Sequence, residues 1–230
     1  KARYKTSPFL RIPGDITHMR ERHLYRLSRA LEKPKGYLYR YKNEIGEIPA
    51  TEEDKQNIDA LLIRLGLKEG EKFVIISPLA KSSNKTWHKE GFVGLCERII
   101  KELNTKVVFV GDKDECAMVQ NIASQMQNKP VNICGRTNLR QLAYLVKKSN
   151  LVISHDSACM HMASFLGKPV LAIFGPTDER KYGPWRQDGL LIRGLVSCAP
   201  CGEAQCRFNH ECLGKIAPEE IFNATKRLLS

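Results

Sequence analysis

A polar knot interrupts an apolar stretch between residues 153 and 178, ISHDSACMHMASFLGKPVLAIFGPTD. His155, Asp156 and Ser157 stand together there, and His161 follows four positions after Ser157. On a helix a spacing of four puts Ser157 and His161 on one face, one turn apart. A carboxylate, a hydroxyl and an imidazole at a helix start have the chemistry of an anion site. The first-turn backbone N–H groups lack intrahelical acceptors, and they carry the positive end of the helix dipole. The same residues also suit a purely structural role, because Asp-Ser is an ordinary cap and a histidine in a Met- and Ala-lined helix is commonly a hydrogen-bonded core residue. Two further loops weigh towards the anion. GPTD at 175–178 offers the Thr177 hydroxyl, and SPLAKSSNKTW from position 77 offers Lys81, Lys85 and several hydroxyls. If one edge of the fold gathers these three loops, they make a nucleotide-diphosphate site.

The elements that must gather them are legible from about residue 70 onward, where apolar runs of four to six residues alternate with amphipathic patterns. That is how a parallel sheet with crossover helices is written. Strands are predicted at FVIIS (73–77), VVFVGD (107–112), VNI (131–133), LVIS (151–154) and PVLAIFG (169–175). Helices are predicted at 91–103, 115–126, from Asn138, at 157–166 and at 218–229, with Asn138 and Gln141 as a capping box and Gly167 as a stop. The strand LVIS runs straight into the knot, so Asp156 is expected as the helix N-cap and Ser157 in the first turn. In a doubly wound sheet the ligand lies beyond the carboxyl ends of the strands, where all three loops fall. Upstream, residues 51–66 read as one helix, and the segment before Thr51 has weak periodicity. The boundary is placed between about 45 and 70, giving a 1–50 segment and a 51–230 Rossmann-like unit.

The chain of 230 residues carries 37 Lys and Arg against 25 Asp and Glu, a net charge of +12, so its partners are expected to be anionic: nucleic acid, anionic lipid or phosphorylated metabolites. The first 42 residues hold twelve of those cations and three acids, and a charge run of that kind is also the mark of a solvated face. No run approaches the roughly 18 apolar residues of a membrane span. The start KARYKTSPFL has no apolar signal core and no initiator Met, so the sequence is expected to be a fragment or a processed piece. Of the eight cysteines, Cys96, Cys116, Cys134 and Cys159 sit singly in ordinary helix and strand patterns, which points to a reducing cytoplasm.

Four segments together resemble bacterial glycosyltransferase family 9, the ADP-heptose:lipopolysaccharide heptosyltransferases: NKTWHKEGFVGLCERI, VVFVGDKDE, LVISHDSACMHMASFLGKPVLAIFGPTD and CAPCGEAQCRFNHECL. The resemblance covers about residues 70–230, and ITHMRERHLYRLSRAL is similar to the segment that ends the family's N-terminal domain. It implies a GT-B architecture of two facing Rossmann-like domains, with 51–230 as the C-terminal nucleotide-sugar-binding domain and 1–50 as a remnant of the N-terminal acceptor domain and linker. It further implies an ADP-heptose donor, transfer with inversion to the inner core of lipopolysaccharide, no cofactor and no obligatory metal. The acceptor is then an anionic lipid-linked saccharide at the inner face of the cytoplasmic membrane, with peripheral contact there. On this resemblance Lys85 stabilises the departing diphosphate. Asp156, Ser157 and Ala158 meet the diphosphate or sugar, where family members usually have Gly in place of Ala158. His161 adds a donor, Thr177 faces the same crevice, Glu115 accepts from the ribose hydroxyls and the Thr137 region borders the adenine. The general base comes from the beginning of the N-terminal domain. Asp15 in IPGDITHM reads as a turn residue, so this chain alone is expected to transfer sugar poorly or not at all.

Cys198, Cys201, Cys206 and Cys212, with His210 between them, have a C-x2-C-x4-C-x5-C spacing similar to a small zinc site. The family resemblance favours a cysteine-bearing loop without metal. Two alternatives stay open: another GT-B transferase or a sugar-nucleotide epimerase with a different nucleotide sugar, and a zinc-containing nucleic-acid-binding module. For the last, the loop offers only Phe208 as a stacking ring.

Overall fold

The computed structural model describes residues 13–30, 45–185 and 189–230. The basic segments at 1–12 and 31–42 lie outside the described residues. Six parallel strands form one sheet: β1 Phe73–Ser77, β2 Lys106–Phe109, β3 Val131–Asn132, β4 Leu151–His155, β5 Val170–Phe174 and β6 Leu190–Arg193. Their order is β3-β2-β1-β4-β5-β6. Ser77 pairs with Ser154, so β1 and β4 finish almost level. The chain leaves β1 towards one side of the sheet and β4 towards the other. That reversal opens a crevice above the carboxyl ends of these two strands, the topological switch point of a doubly wound sheet.

Around the sheet run α1 (Met19–Ala30), α2 (Glu52–Arg64), α3 (Lys89–Leu103), α4 (Cys116–Gln125), α5 (Leu139–Lys148), α6 (Ala158–Phe165), the short α7 (Glu179–Tyr182) and α8 (Glu211–Gly214), and α9 (Pro218–Leu229). Strand side chains alternate between the two faces, and both faces are covered, which is why the strands read as unbroken apolar runs. Val74 and Ile76 of β1 pack with Phe92 and Ile99 of α3, Val119 of α4 and Ile221 of α9. Phe73 and Ile75 pack the other way, with Ile58 of α2, Val146 of α5 and Met160 of α6. Local chemistry closes the helix ends. Thr51 with Asp54 and Asn138 with Gln141 form capping boxes that open α2 and α5, and Gly167, at φ +71°, turns the chain out of α6.

Three differences from the sequence reading have physical causes. The edge strand β6 is not signalled, because LLIR is four residues long, flanked by Gly189 and Gly194 and only partly buried. Met19–Ala30 is helical despite its weak apolar periodicity. Finally, β4 continues one residue past LVIS to include His155, which is fully buried rather than facing the crevice.

Strand parity turns His155 to the same face as Leu151 and Ile153, into a nest of rings. Phe92 lies edge-on at 5.5 Å, and Trp87 stands 5.1 Å from Phe92. The Trp87 backbone N–H donates to His155 Nε2 at 2.8 Å, which places the imidazole proton on Nδ1. Burial pushes His155 down to about 3, so the folded state holds it neutral while the unfolded chain protonates it near 6.5. Its contribution to stability is therefore complete above pH 6.5 and declines as pH falls from there to about 3. The slope is about 1.4 kcal/mol per pH unit. In denaturant unfolding at pH 7, 6 and 5, His155→Gln is expected to lose this share of the acid dependence. An unchanged slope in the variant would contradict the assignment.

Candidate active site

At the switch point the Lys85 ammonium lies 2.6 Å from Asp156 Oδ2 and ties the loop after β1 to the end of β4. Asp156 is only 10% exposed, Lys85 35%. His161 Nε2, on the first turn of α6, stands 3.7 Å from the other carboxylate oxygen, and its ring is half open to solvent. Burial by itself would raise the Asp156 carboxyl, but His161 and Lys85 outweigh it and hold the group below the ordinary carboxylate range. The centre is thus an ionised carboxylate between a cation and an imidazole. A diphosphate entering here meets the same two donors that Asp156 now occupies.

The N-cap differs from the expected one. Ser157, not Asp156, is the N-cap of α6, because the Asp156 carboxylate turns away to Lys85, and the Ser157 hydroxyl pairs with Ser154 Oγ at 2.7 Å. Neither side chain caps the helix, so the first-turn N–H groups face the crevice without a side-chain acceptor. This is the arrangement in which a helix start takes an anion.

Lys85 is held where it is by its neighbours. A short 3-10 turn, Ser83–Lys85, carries it. The buried Asn84 side chain donates to the Ala204 carbonyl and, at 3.4 Å, to that of Glu203. The Thr86 hydroxyl accepts from the Ala80 N–H at 3.3 Å, and Trp87 is pinned both by His155 and through its indole N–H to the Ile216 carbonyl at 3.3 Å. Sequence reasoning singled out the cation of NKTW and missed Asn84, Trp87 and the supporting role of His155. Their signal was a buried-type Trp beside a polar loop, and their partners lie 68 to 129 residues away.

The remaining candidate residues fall on two adjoining clefts. Asp156, Ser157 and Ala158 line an open cleft of about 1540 Å³ together with Glu115 and Thr137. Ala158 is exposed there, at the first position of α6. One carboxylate oxygen of Glu115 is already engaged, accepting the Asp112 N–H at 2.8 Å, so this side chain both shapes the turn after β2 and borders the cleft. Thr177, mostly buried beyond β5, lines a second cleft of about 930 Å³ with Lys85, Lys181 and Glu203. The Lys85–Asp156 pair is the ridge between the two. Asp15 lies in a turn at the start of the described chain.

The cysteine loop packs over this region. Cys198, Cys201, Cys206 and Cys212 line one recess of about 660 Å³ with His210. Cys206 Sγ accepts N–H groups from Phe208 at 3.4 Å and His210 at 3.1 Å. Burial, with the other three thiols nearby, raises Cys212. All eight cysteines are free thiols, and among the described residues no group of three or more His, Cys, Asp or Glu stands where it could hold a metal ion.

Comparison with known proteins identifies the family of the chain. The family model of glycosyltransferase family 9 (heptosyltransferase) matches residues 6–211. Lipooligosaccharide heptosyltransferase 2 of Campylobacter jejuni is 26% identical over 167 residues, 70% of this chain and 53% of that protein. The chain spans about half the length of the curated relatives it matches. In structure it is similar to a glycosyl transferase family 9 protein from Veillonella parvula, with a TM-score of 0.79 and 24% identity over 95% of this chain and 62% of that one. It is also similar to E. coli ADP-heptose lps heptosyltransferase II, with a TM-score of 0.72 and 20% identity over 95% of this chain and 64% of that one. With a match over most of its length, and with the GT-B fold of its structural neighbours, the chain belongs to glycosyltransferase family 9, the heptosyltransferases.

Proposed function

We propose that this chain is the donor-binding part of an enzyme that transfers a heptose from ADP-heptose, with inversion, to the inner core of lipopolysaccharide. In this reading residues 51–230 are the donor domain and 1–50 belong to the acceptor domain and linker. The observation that carries it is the Lys85–Asp156–His161 cluster at the switch point, beside a helix start without a side-chain cap. The family supports the reaction class, and the curated relatives are heptosyltransferases by name. The acceptor is an anionic lipid-linked saccharide. Among the described residues no helix is long and apolar enough to cross a membrane, and contact with the membrane surface is peripheral in this reading.

In the transfer step the acceptor hydroxyl attacks the anomeric carbon as the bond to the β-phosphate oxygen breaks. The bonding electron pair leaves with ADP. Charge accumulates on the diphosphate during bond cleavage, so a cation fixed at that place binds the transition state more tightly than the ground state. Lys85 fills this role, His161 and the first-turn N–H groups of α6 add donors, and no cofactor takes part. The adenosine lies in the larger cleft, with Glu115 on the ribose and Thr137 beside the base. Asp156 is a poor general base, because Lys85 and His161 hold its carboxyl below the ordinary range. In this reading the proton of the acceptor hydroxyl goes not to Asp156 but to a carboxylate of the acceptor domain.

Calorimetric titration of the 230-residue chain is expected to give binding of ADP and little binding of UDP or GDP. ADP at a hundred times its Kd should stabilise the fold by about 2.7 kcal/mol. Equal binding of the three nucleotides would move the chain to another sugar nucleotide. Lys85→Ala is expected to weaken ADP at least about tenfold and, in the full-length enzyme, to lower kcat by about 10²–10³, the range for removing one donor to developing charge. The chain alone is expected to show no turnover with ADP-heptose and acceptor, and clear turnover would overturn the assignment of the base.

A further inference from the structure

Two thiols outside the Lys85–Asp156 cluster meet at the edge of the larger cleft. Cys116 opens α4, Cys134 follows β3, and both S–H groups donate to one acceptor, the Asp112 carbonyl, at 3.6 and 3.2 Å. The backbone they pack against carries no β-carbon. The Gly135 N–H donates to the Gly111 carbonyl at 2.9 Å, and both sulfurs lie against this bridged pair of glycines. A β-carbon added at Gly135 would stand 2.6 Å from Cys116 Sγ, and one added at Gly111 2.9 Å from Cys134 Sγ. Gly135, at φ +72°, needs glycine for its conformation, whereas at Gly111 the close approach itself excludes a side chain.

This thiol pair touches the wall of the cleft. Gly111, Asp112, Glu115 and Thr137 all line it. The Asp112 carbonyl that takes both thiols also accepts the Glu115 N–H at 3.1 Å, and the Asp112 N–H donates back to Glu115 Oε2 at 2.8 Å. That carboxylate oxygen would lie 2.7 Å from a β-carbon at Gly111, so the Cys134 sulfur and the Glu115 carboxylate share the space that Gly111 leaves open. The two thiols differ in access. Cys116 is partly exposed, whereas Cys134 is 7% exposed, and burial, with the Cys116 thiol beside it, pushes Cys134 up to about 12. An oxidant from solution therefore meets Cys116 first, and Cys134 is placed to resolve the product. Once the sulfurs are joined neither has a proton to donate, and the turn that holds Glu115 loses two ties.

We infer that Cys116 and Cys134 form a redox-active dithiol, a modification site for low-molecular-weight disulfides, and that its oxidation weakens nucleotide binding in the neighbouring cleft. The effect on nucleotide rests on the donor-binding reading above. In the first step the Cys116 thiolate attacks a disulfide RSSR, the S–S bond breaks and one thiolate leaves. The Cys134 thiolate then attacks the Cys116 sulfur of the mixed disulfide and expels the second. Two protein thiols and one RSSR thus give one protein disulfide and two RSH, with the protons passing to the leaving thiolates. The test equilibrates the 230-residue chain in glutathione buffers of rising glutathione disulfide content, followed by acid quench, alkylation and peptide mapping by mass spectrometry. A Cys116–Cys134 cross-linked peptide is expected, and in Cys134→Ser a glutathione adduct that stays on Cys116. Oxidation is expected to weaken ADP at least about fivefold by calorimetry, and saturating ADP to raise the [GSSG]/[GSH]² ratio at half oxidation by the same factor. The double variant Cys116→Ser, Cys134→Ser keeps a donor at each position. It is expected to hold its ADP affinity within about twofold under the same treatment, which separates this pair from the other six cysteines. No Cys116–Cys134 cross-link at any ratio, or a cross-link that leaves ADP affinity unchanged, overturns the proposal. If the reduced chain does not bind ADP, the transfer reading falls together with the effect on nucleotide, while the cross-link still decides the pair.

Discussion

A carboxylate nine-tenths withdrawn from water at the end of a strand is tolerated only beside a cation, and Asp156 has Lys85 at 2.6 Å. This pair joins the loop after β1 to the loop after β4, the two connections that diverge at the switch point. Its geometry is demanding because a lysine side chain is long and flexible. The fold therefore fixes the backbone on each side of Lys85: Asn84 is tied to the cysteine loop, and Trp87 to His155 and Ile216. A hydrogen bond to a charged group is worth roughly 1.5–3 kcal/mol, and with Lys85 a third exposed the lower end applies. The pair matters less for its energy than for where it holds a cation.

That placement organises the surrounding space. The larger cleft, on the Glu115 and Thr137 side, has room for a nucleoside, and the recess on the Trp185 side has rings and cations but no carboxylate among the described lining residues. His161 stands between them. Two further histidines do different work from it, since burial, complete for His155 and partial for His18, keeps both below their ordinary pKa, and they serve as neutral hydrogen-bonding struts, His155 under the Lys85 loop and His18 beside Arg20. Of these three histidines, His161 is the one that faces the Asp156 carboxylate.

The cysteine loop contributes through its backbone as much as its sulfurs. The Ala204 and Glu203 carbonyls receive Asn84, and the Gly202 N–H donates to the Pro176 carbonyl at 2.8 Å, so the loop bridges the segments that carry Lys85 and Thr177. The more sequestered thiols are poor nucleophiles. Burial raises Cys159 to about 12, and Cys212 is raised in the same direction.

The sequence by itself determined the layered α/β fold, because parity within a strand and the 3.6-residue period of a helix are local. FVIIS, the Asn138–Gln141 capping box and the stop at Gly167 carry their structural meaning in adjacent residues. It also determined which loops reach the crevice, and the family motifs marked Lys85, Asp156, Ser157 and His161 as residues at that edge. The reach of single side chains is not local, and there only the tertiary structure decided. Asp156 gives up the N-cap, its carboxylate pairing instead with a cation 71 positions away. His155 leaves the crevice because strand parity turns it into the ring nest of Phe92 and Trp87. The recess around Trp185 exists only where α1, α6 and the segment after α7 meet. A sequence records the period of each element, whereas the partner of a buried charge depends on which distant segments the packed sheet brings within a hydrogen bond's length.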